Sequence, residues 1–67
     1  MVNKNLPQSP MLTAKDLAEY LRIGRDKAYA LIKAPSFPAI QIGSRYLVSE
    51  DAVNEWIKNN QYRHIVV

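Results

Sequence analysis

Two apolar helical periods separated by only three residues, Arg22-Ile23-Gly24, constrain this chain more than any other feature in it. Ala14, Leu17, Ala18 and Leu21 recur at helical spacing and give a first helix one apolar face. Thr13 opens that helix, Asp16 three positions on makes a short-armed capping box, and Leu12 stands where it can staple onto Leu17. The second helix should start near Arg25. On it Ala28, Leu31 and Ile32 cluster on one side, Asp26, Tyr29, Ala30 and Lys33 point the opposite way, and Arg25 and Lys27 lie on the flanks. Ile23 supplies an apolar residue to bury between the two helices, and Gly24 is tolerated at a cap without helical dihedrals. Pro35 biases Ala34 away from the helical region, which closes the element at about Lys33. Helices this short joined by so tight a turn must cross steeply instead of lying antiparallel.

Beyond Phe37-Pro38 the period switches to two, with Ile40 and Ile42 on one side and Tyr46 and Val48 in the answering run. Gly43-Ser44 between them suits a two-residue hairpin turn with glycine at its first central position. Ser49 then caps a third helix. Glu50 and Asp51 sit where the helix dipole favours negative charge, Val48 can staple onto Val53, and Ala52, Val53, Trp56 and Ile57 form the buried stripe. Asn59, Asn60 and Gln61 release the helix. The order predicts an α+β fold: a small winged helix-turn-helix with three short helices and a two-stranded antiparallel wing between the second and third.

Sixty-seven residues make one domain with a small core, because a chain of this size buries only about 60% of the surface it exposes unfolded. The expected organisation is a flexible leader over residues 1–11, which holds Pro7 and Pro10 and shows no period, a folded domain over 12–60 and a tail over 61–67. The chain has no cysteine, so apolar packing must supply its stability, as suits a reducing cytoplasm. Its opening residues carry no apolar run and nothing is long enough to span a bilayer, which points to a soluble protein with no membrane partner.

The net charge of +3 is unevenly placed. Between Arg22 and Arg45 five basic residues (Arg22, Arg25, Lys27, Lys33, Arg45) stand against one acid, Asp26, while elsewhere four basic residues face five acidic ones. A basic stripe on one part of a small domain suits a polyanion, although a solvated helix face would carry the same charges. The six carboxylates accompany no nucleophile and no glycine-rich loop, so no catalytic site and no cofactor are expected. His64, the single histidine, has no second histidine or cysteine to share a metal with.

The run Leu12-Thr13-Ala14-Lys15-Asp16-Leu17-Ala18-Glu19-Tyr20-Leu21, followed by Ile23, Tyr29, Leu31 and Ile32, then Ile42-Gly43-Ser44-Arg45-Tyr46, then Asp51 through Trp56-Ile57, resembles the excisionase branch of the MerR-like winged helix-turn-helix family. Arg22-Ile23-Gly24 followed by Lys27 is especially similar to excisionases of conjugative transposons. The motifs are individually degenerate and specific in their order and spacing. Two positions depart from the pattern: Ala30 stands where many relatives carry a basic residue, and Arg22 where glycine or asparagine is common. The first removes a base or phosphate contact or marks a different target.

The resemblance implies that the second helix enters the major groove of double-stranded DNA and that the wing tip touches backbone or minor groove in the neighbouring turn. Arg reads guanine through two parallel bonds and Lys does so less rigidly, so Arg25 and Lys27 in the first helical turn are candidates for base or phosphate contact. Asp26 either accepts from cytosine or, more simply, answers the helix dipole. Tyr29 either bonds a phosphate through its hydroxyl or covers the core edge, and Lys33 suits a phosphate or the dipole at the helix end. Arg45 sits at a hairpin tip with nothing of its own domain to pair with, at a position where the family contacts DNA. Ser44 and the Gly43 amide offer neutral phosphate bonds. Trp56 and Tyr46 read as packing. For all of this to serve one duplex, Arg25, Lys27 and Arg45 must turn toward a common side.

Three functions fit. An excisionase-like directionality factor would bind repeated sites near a recombination junction, bend the DNA and help a tyrosine integrase, together with neighbouring copies of itself, assemble the excisive complex. A small MerR-like transcriptional regulator would use the same surface at a promoter, yet only ten residues follow Ile57, too few for the long dimerising helix and effector domain of full regulators. A protein-interaction adaptor would keep the scaffold without DNA binding, using the aliphatic tail Tyr62-Arg63-His64-Ile65-Val66-Val67 to dock on a partner. That tail would otherwise fold back as a strand or fray.

Overall fold

The computed structural model describes residues 10–67. Six elements follow one another: β1 (Met11–Leu12), α1 (Ala14–Leu21), α2 (Arg25–Ile32), β2 (Ile40–Ile42), β3 (Arg45–Ser49) and α3 (Glu50–Asn59). The architecture is the expected winged helix-turn-helix, with the β2–β3 wing between the second and third helices.

α1 forms because both of its ends are satisfied. The Asp16 amide donates to Thr13 Oγ1 at 3.2 Å and the Thr13 amide donates to Asp16 Oδ2 at 3.1 Å, a reciprocal capping box. At the other end Arg22 adopts the left-handed conformation, φ 57 and ψ 48. Its amide donates to the Glu19 carbonyl at 3.3 Å and the Ile23 amide to the Ala18 carbonyl at 3.0 Å. That pair of bonds is a Schellman closure, and half-buried Ile23 supplies its accompanying apolar contact. Glycine, and to a lesser degree asparagine, adopts this conformation at much lower cost than arginine, so Arg22 is held there by the closure.

α2 starts on Gly24, which has extended backbone and makes no side-chain cap bond. The helix is anchored instead by Ala28, Leu31 and Ile32, all buried. The Phe37 amide then donates to the Ala34 carbonyl at 3.1 Å, a turn with Pro35 at its second position, where the fixed proline φ belongs. Phe37 is driven into the core and meets Trp56 edge to face at 5.0 Å.

In the wing Ile42 opposes Arg45, leaving Gly43-Ser44 as a two-residue loop. Gly43 has φ +62 and Ser44 does not have positive φ, the combination that favours glycine first. Register decides the faces differently from the expected pairing of runs. Ile40 opposes Leu47 and Ile42 opposes Arg45, so both isoleucines share the Arg45 face and are 50% and 60% exposed, while Val48 is buried and Tyr46 half-buried on the other face.

A third strand extends the sheet. Met11 pairs with Ser49 and Leu12 with Val48, giving the strand order β1-β3-β2. Met11, the last residue of the expected leader over 1–11, therefore lies in the sheet; residues 1–9 lie outside the described residues. The far end of β3 would otherwise leave its ladder groups unpaired, and the Glu50 amide completes the junction by donating to the Pro10 carbonyl at 3.0 Å.

α3 begins as expected, with the Ala52 amide donating to Ser49 Oγ at 3.0 Å. Val53 is fully buried, Ala52 and Trp56 are half-buried, and Ile57 stays 36% exposed, less covered than a full member of the stripe. The core gathers Leu12, Ala14, Leu17, Leu31, Ile32, Phe37, Val48 and Val53 from β1, the three helices, the connection after α2 and β3. Tyr20 Oη donates to Asn54 Oδ1 at 2.6 Å and ties α1 to α3 at the surface.

Candidate nucleic-acid interface

With its apolar side facing inward, α2 leaves Arg25, Asp26, Lys27, Tyr29, Ala30 and Lys33 exposed. Helical spacing puts Asp26 and Ala30 at the middle of that outward face, opposite Ala28, Leu31 and Ile32. Tyr29 and Lys33 occupy one flank and Lys27 the other.

The wing closes on the Tyr29 flank. Tyr29, Ile32 and Lys33 from α2 and Ser44, Arg45 and Tyr46 from the wing line one open cleft of about 290 Å³, with Thr13 and Ala14 at its floor. The tip is set by the two-residue turn and by Gln41 Nε2, which donates across it to the Gly43 carbonyl at 3.1 Å. Among the described residues Arg25, Lys33 and Arg45 make no side-chain hydrogen bond or ion pair. Two uncompensated cations, a phenol and a hydroxyl therefore face one concavity. The N-terminal end of α1 opens on the same floor and adds the positive end of its dipole there. Such an arrangement offers an anion both charge and neutral hydrogen bonds.

Arg25 and Lys27 are placed elsewhere. Together with Gly24 and Asp26 they surround a second, shallower depression whose far wall is Val67. Lys27 Nζ donates to the Val67 backbone oxygen at 3.3 Å, so one of its three donors is already engaged. The cation that shares a cleft with Arg45 is thus Lys33; Arg25 and Lys27 line the other depression, so the common side expected for Arg25, Lys27 and Arg45 is not found as one concavity, because the wing comes to rest on the Tyr29 flank of α2. Arg22 is exposed at the turn between the helices, and Gly43 sits at the wing tip with its backbone open to approach.

Helical spacing, the hairpin turn and the resemblance named Tyr29, Lys33, Ser44 and Arg45 but not what joins them. Thr13 and Tyr46 complete the cleft, and reading them as a cap and as packing missed that second position. No sequence signal marks them, because they meet α2 through long-range packing. No helix among the described residues is long and apolar enough to cross a membrane.

Residues 11–61 match the family described as Helix-turn-helix domain. No curated protein and no solved structure matches the chain at a significant level. The matched stretch starts in β1 and runs past the end of α3, so it takes in every element described above. The chain belongs to the helix-turn-helix domain family, a family of DNA-binding folds.

Proposed function

We propose that this chain is a sequence-specific double-stranded DNA-binding protein of the excisionase kind, which binds and bends DNA near an attachment site to promote excision by a tyrosine integrase. The observation that carries the DNA contact is the cleft shared by α2 and the wing, where Lys33 and Arg45 stand without acidic partners among the described residues. In this reading α2 lies in the major groove. A phosphate-bearing strand passes between helix and wing, contacted by Tyr29, Lys33, Ser44, Arg45 and the Gly43 amide. Arg25 and Lys27 reach base edges or phosphates at the first turn of the helix, Arg22 meets backbone beside the turn, and Asp26 answers the dipole.

The excisionase assignment rests on the resemblance carried by Arg22-Ile23-Gly24, Lys27 and Gly43-Ser44-Arg45 in their order. Ala30 at the centre of the outward face removes a polar reader from the middle of the helix, which shifts selectivity toward the flanks and toward the deformability of the target. A single module covers only about 600–1,000 Å² of DNA, so useful affinity requires neighbouring copies or the integrase.

Footprinting on the DNA flanking the chain's own reading frame tests this. Protection of tandem repeats beside an integrase attachment site, tighter per protomer than a single repeat, is the expected result. Equal affinity per protomer on single and tandem sites overturns the cooperative reading. Protection confined to a promoter replaces excision with transcriptional control.

A further inference from the structure

The C-terminal segment does not pair as a strand, yet it is not free of the domain. After α3 the Arg63 amide donates to the Asn60 carbonyl at 3.2 Å, and Tyr62 turns the chain with φ +68, a left-handed conformation unusual for a bulky side chain. The segment then runs back along the flank of α2 that faces away from the wing. Its exposure alternates: Ile65 and Val67 are 38% and 40% exposed, with Val66 between them at 81%. That is the signature of an extended segment resting one side on a surface. The surface is the groove between Leu31 and Ala34 of the α2 region and Trp56 of α3. About 380 Å³ of open space remains in that groove, so the segment is laid on the domain and not packed into its core. It ends beside the first turn of α2, where Lys27 donates to Val67.

We propose that residues 63–67 form a self-inhibitory strap that competes with DNA for Lys27 and the first turn of α2, and that the duplex must displace it to gain that contact. The proposal rests on the DNA-binding reading above. Its physical content is a competition for one cation. A phosphate approaching Lys27 removes the Val67 backbone oxygen from it, and the strap then loses its only side-chain hydrogen bond among the described residues. The remaining apolar contacts are shallow, which makes release an accessible event and not an unfolding.

The test compares the full chain with the full-length variant Ile65→Ser/Val67→Ser, which loosens the strap without altering charge or touching α2. Binding of each to a duplex bearing the footprinted repeat is titrated from 50 to 200 mM salt. The variant is expected to bind about threefold to tenfold tighter at low salt. Its log-log salt slope should be unchanged, because Lys27 meets phosphate in both complexes once the strap is displaced. Lys27→Ala should erase the gain in affinity. Equal affinity in the two chains, or weaker binding by the variant, overturns the strap. Absence of salt-sensitive binding in both chains fails the DNA-binding reading itself, and the strap with it. Should the variant not fold, backbone NMR of the unaltered chain decides. Residues 63–67 must gain rapid motion when DNA is added, and tail signals that stay ordered in the complex overturn the proposal.

Discussion

α1 and α2 are both eight residues long, and they are held in opposite ways. α1 satisfies its own ends, through the Thr13–Asp16 box and the Arg22 closure. α2 has no side-chain cap at its start and depends on Ala28, Leu31 and Ile32. The helix that scaffolds is written locally, and the helix that is presented is stabilised from behind. This leaves the outward side of α2 free to carry residues that contribute little to folding, which is where binding residues are affordable.

The contrast breaks or sharpens on four measurements. Leu17→Ala, at a fully buried position of α1, is expected to cost about 2–5 kcal/mol in urea unfolding, enough to unfold much of a domain this small. Tyr29→Ala, 48% exposed on α2, should stay within about 0.5 kcal/mol. Comparable losses for the two would end the distinction between scaffold and presented helix.

Lys33→Ala/Arg45→Ala should leave the unfolding midpoint where it is and weaken duplex binding by roughly ten- to a hundredfold, with the salt slope shallower by about 1.8. A folded double variant that binds DNA with the original slope would show that the cleft is not where phosphate sits.

At the ends of α1, two substitutions should move stability in opposite directions. Thr13→Ala removes the cap and should cost about 1 kcal/mol. Arg22→Gly relieves a left-handed arginine and should gain roughly 0.5–1 kcal/mol after the extra freedom of glycine in the unfolded chain is subtracted. If Arg22 also meets backbone phosphate, the same variant should lose one unit of salt slope, so that stability rises while DNA affinity falls. Thermal unfolding and the salt titration read the two effects separately.

Gly24→Ser is the smallest effect. A Cβ there meets nothing within 4 Å and the backbone is already extended, so a side-chain cap should add only a few tenths of a kcal/mol. A loss instead would mean that α2 needs a bare N-terminus for reasons its folding does not explain.

What the sequence made legible follows this division. The three helices, Thr13 and Ser49 as caps, and the Gly43-Ser44 turn were readable because the signal for each, an apolar spacing, a cap residue or a glycine, lies within a few residues along the chain. β1 was not. Two residues following a proline carry no period, and Met11 becomes a strand only because Ser49 leaves it ladder partners across the whole domain. Alternation in the wing showed which residues share a strand face but not which face turns inward. Cross-strand register and the burial of Val48 settled that and left Ile40 and Ile42 outside. Charges were placed correctly on the exposed side of α2, whereas the division of its flanks between wing and tail depends on where two later segments come to rest. Lys33 rather than Lys27 shares the cleft with Arg45 for that reason.

The wing is short, with three paired positions before its two-residue loop. Each added pair would carry the tip about 3.3 Å farther out, close to one base step of duplex rise. Hairpin length therefore acts as a ruler. Relatives of this chain with a wing longer by one pair should grip the backbone at a different offset from the bases under α2, even if every side chain at the tip is the same.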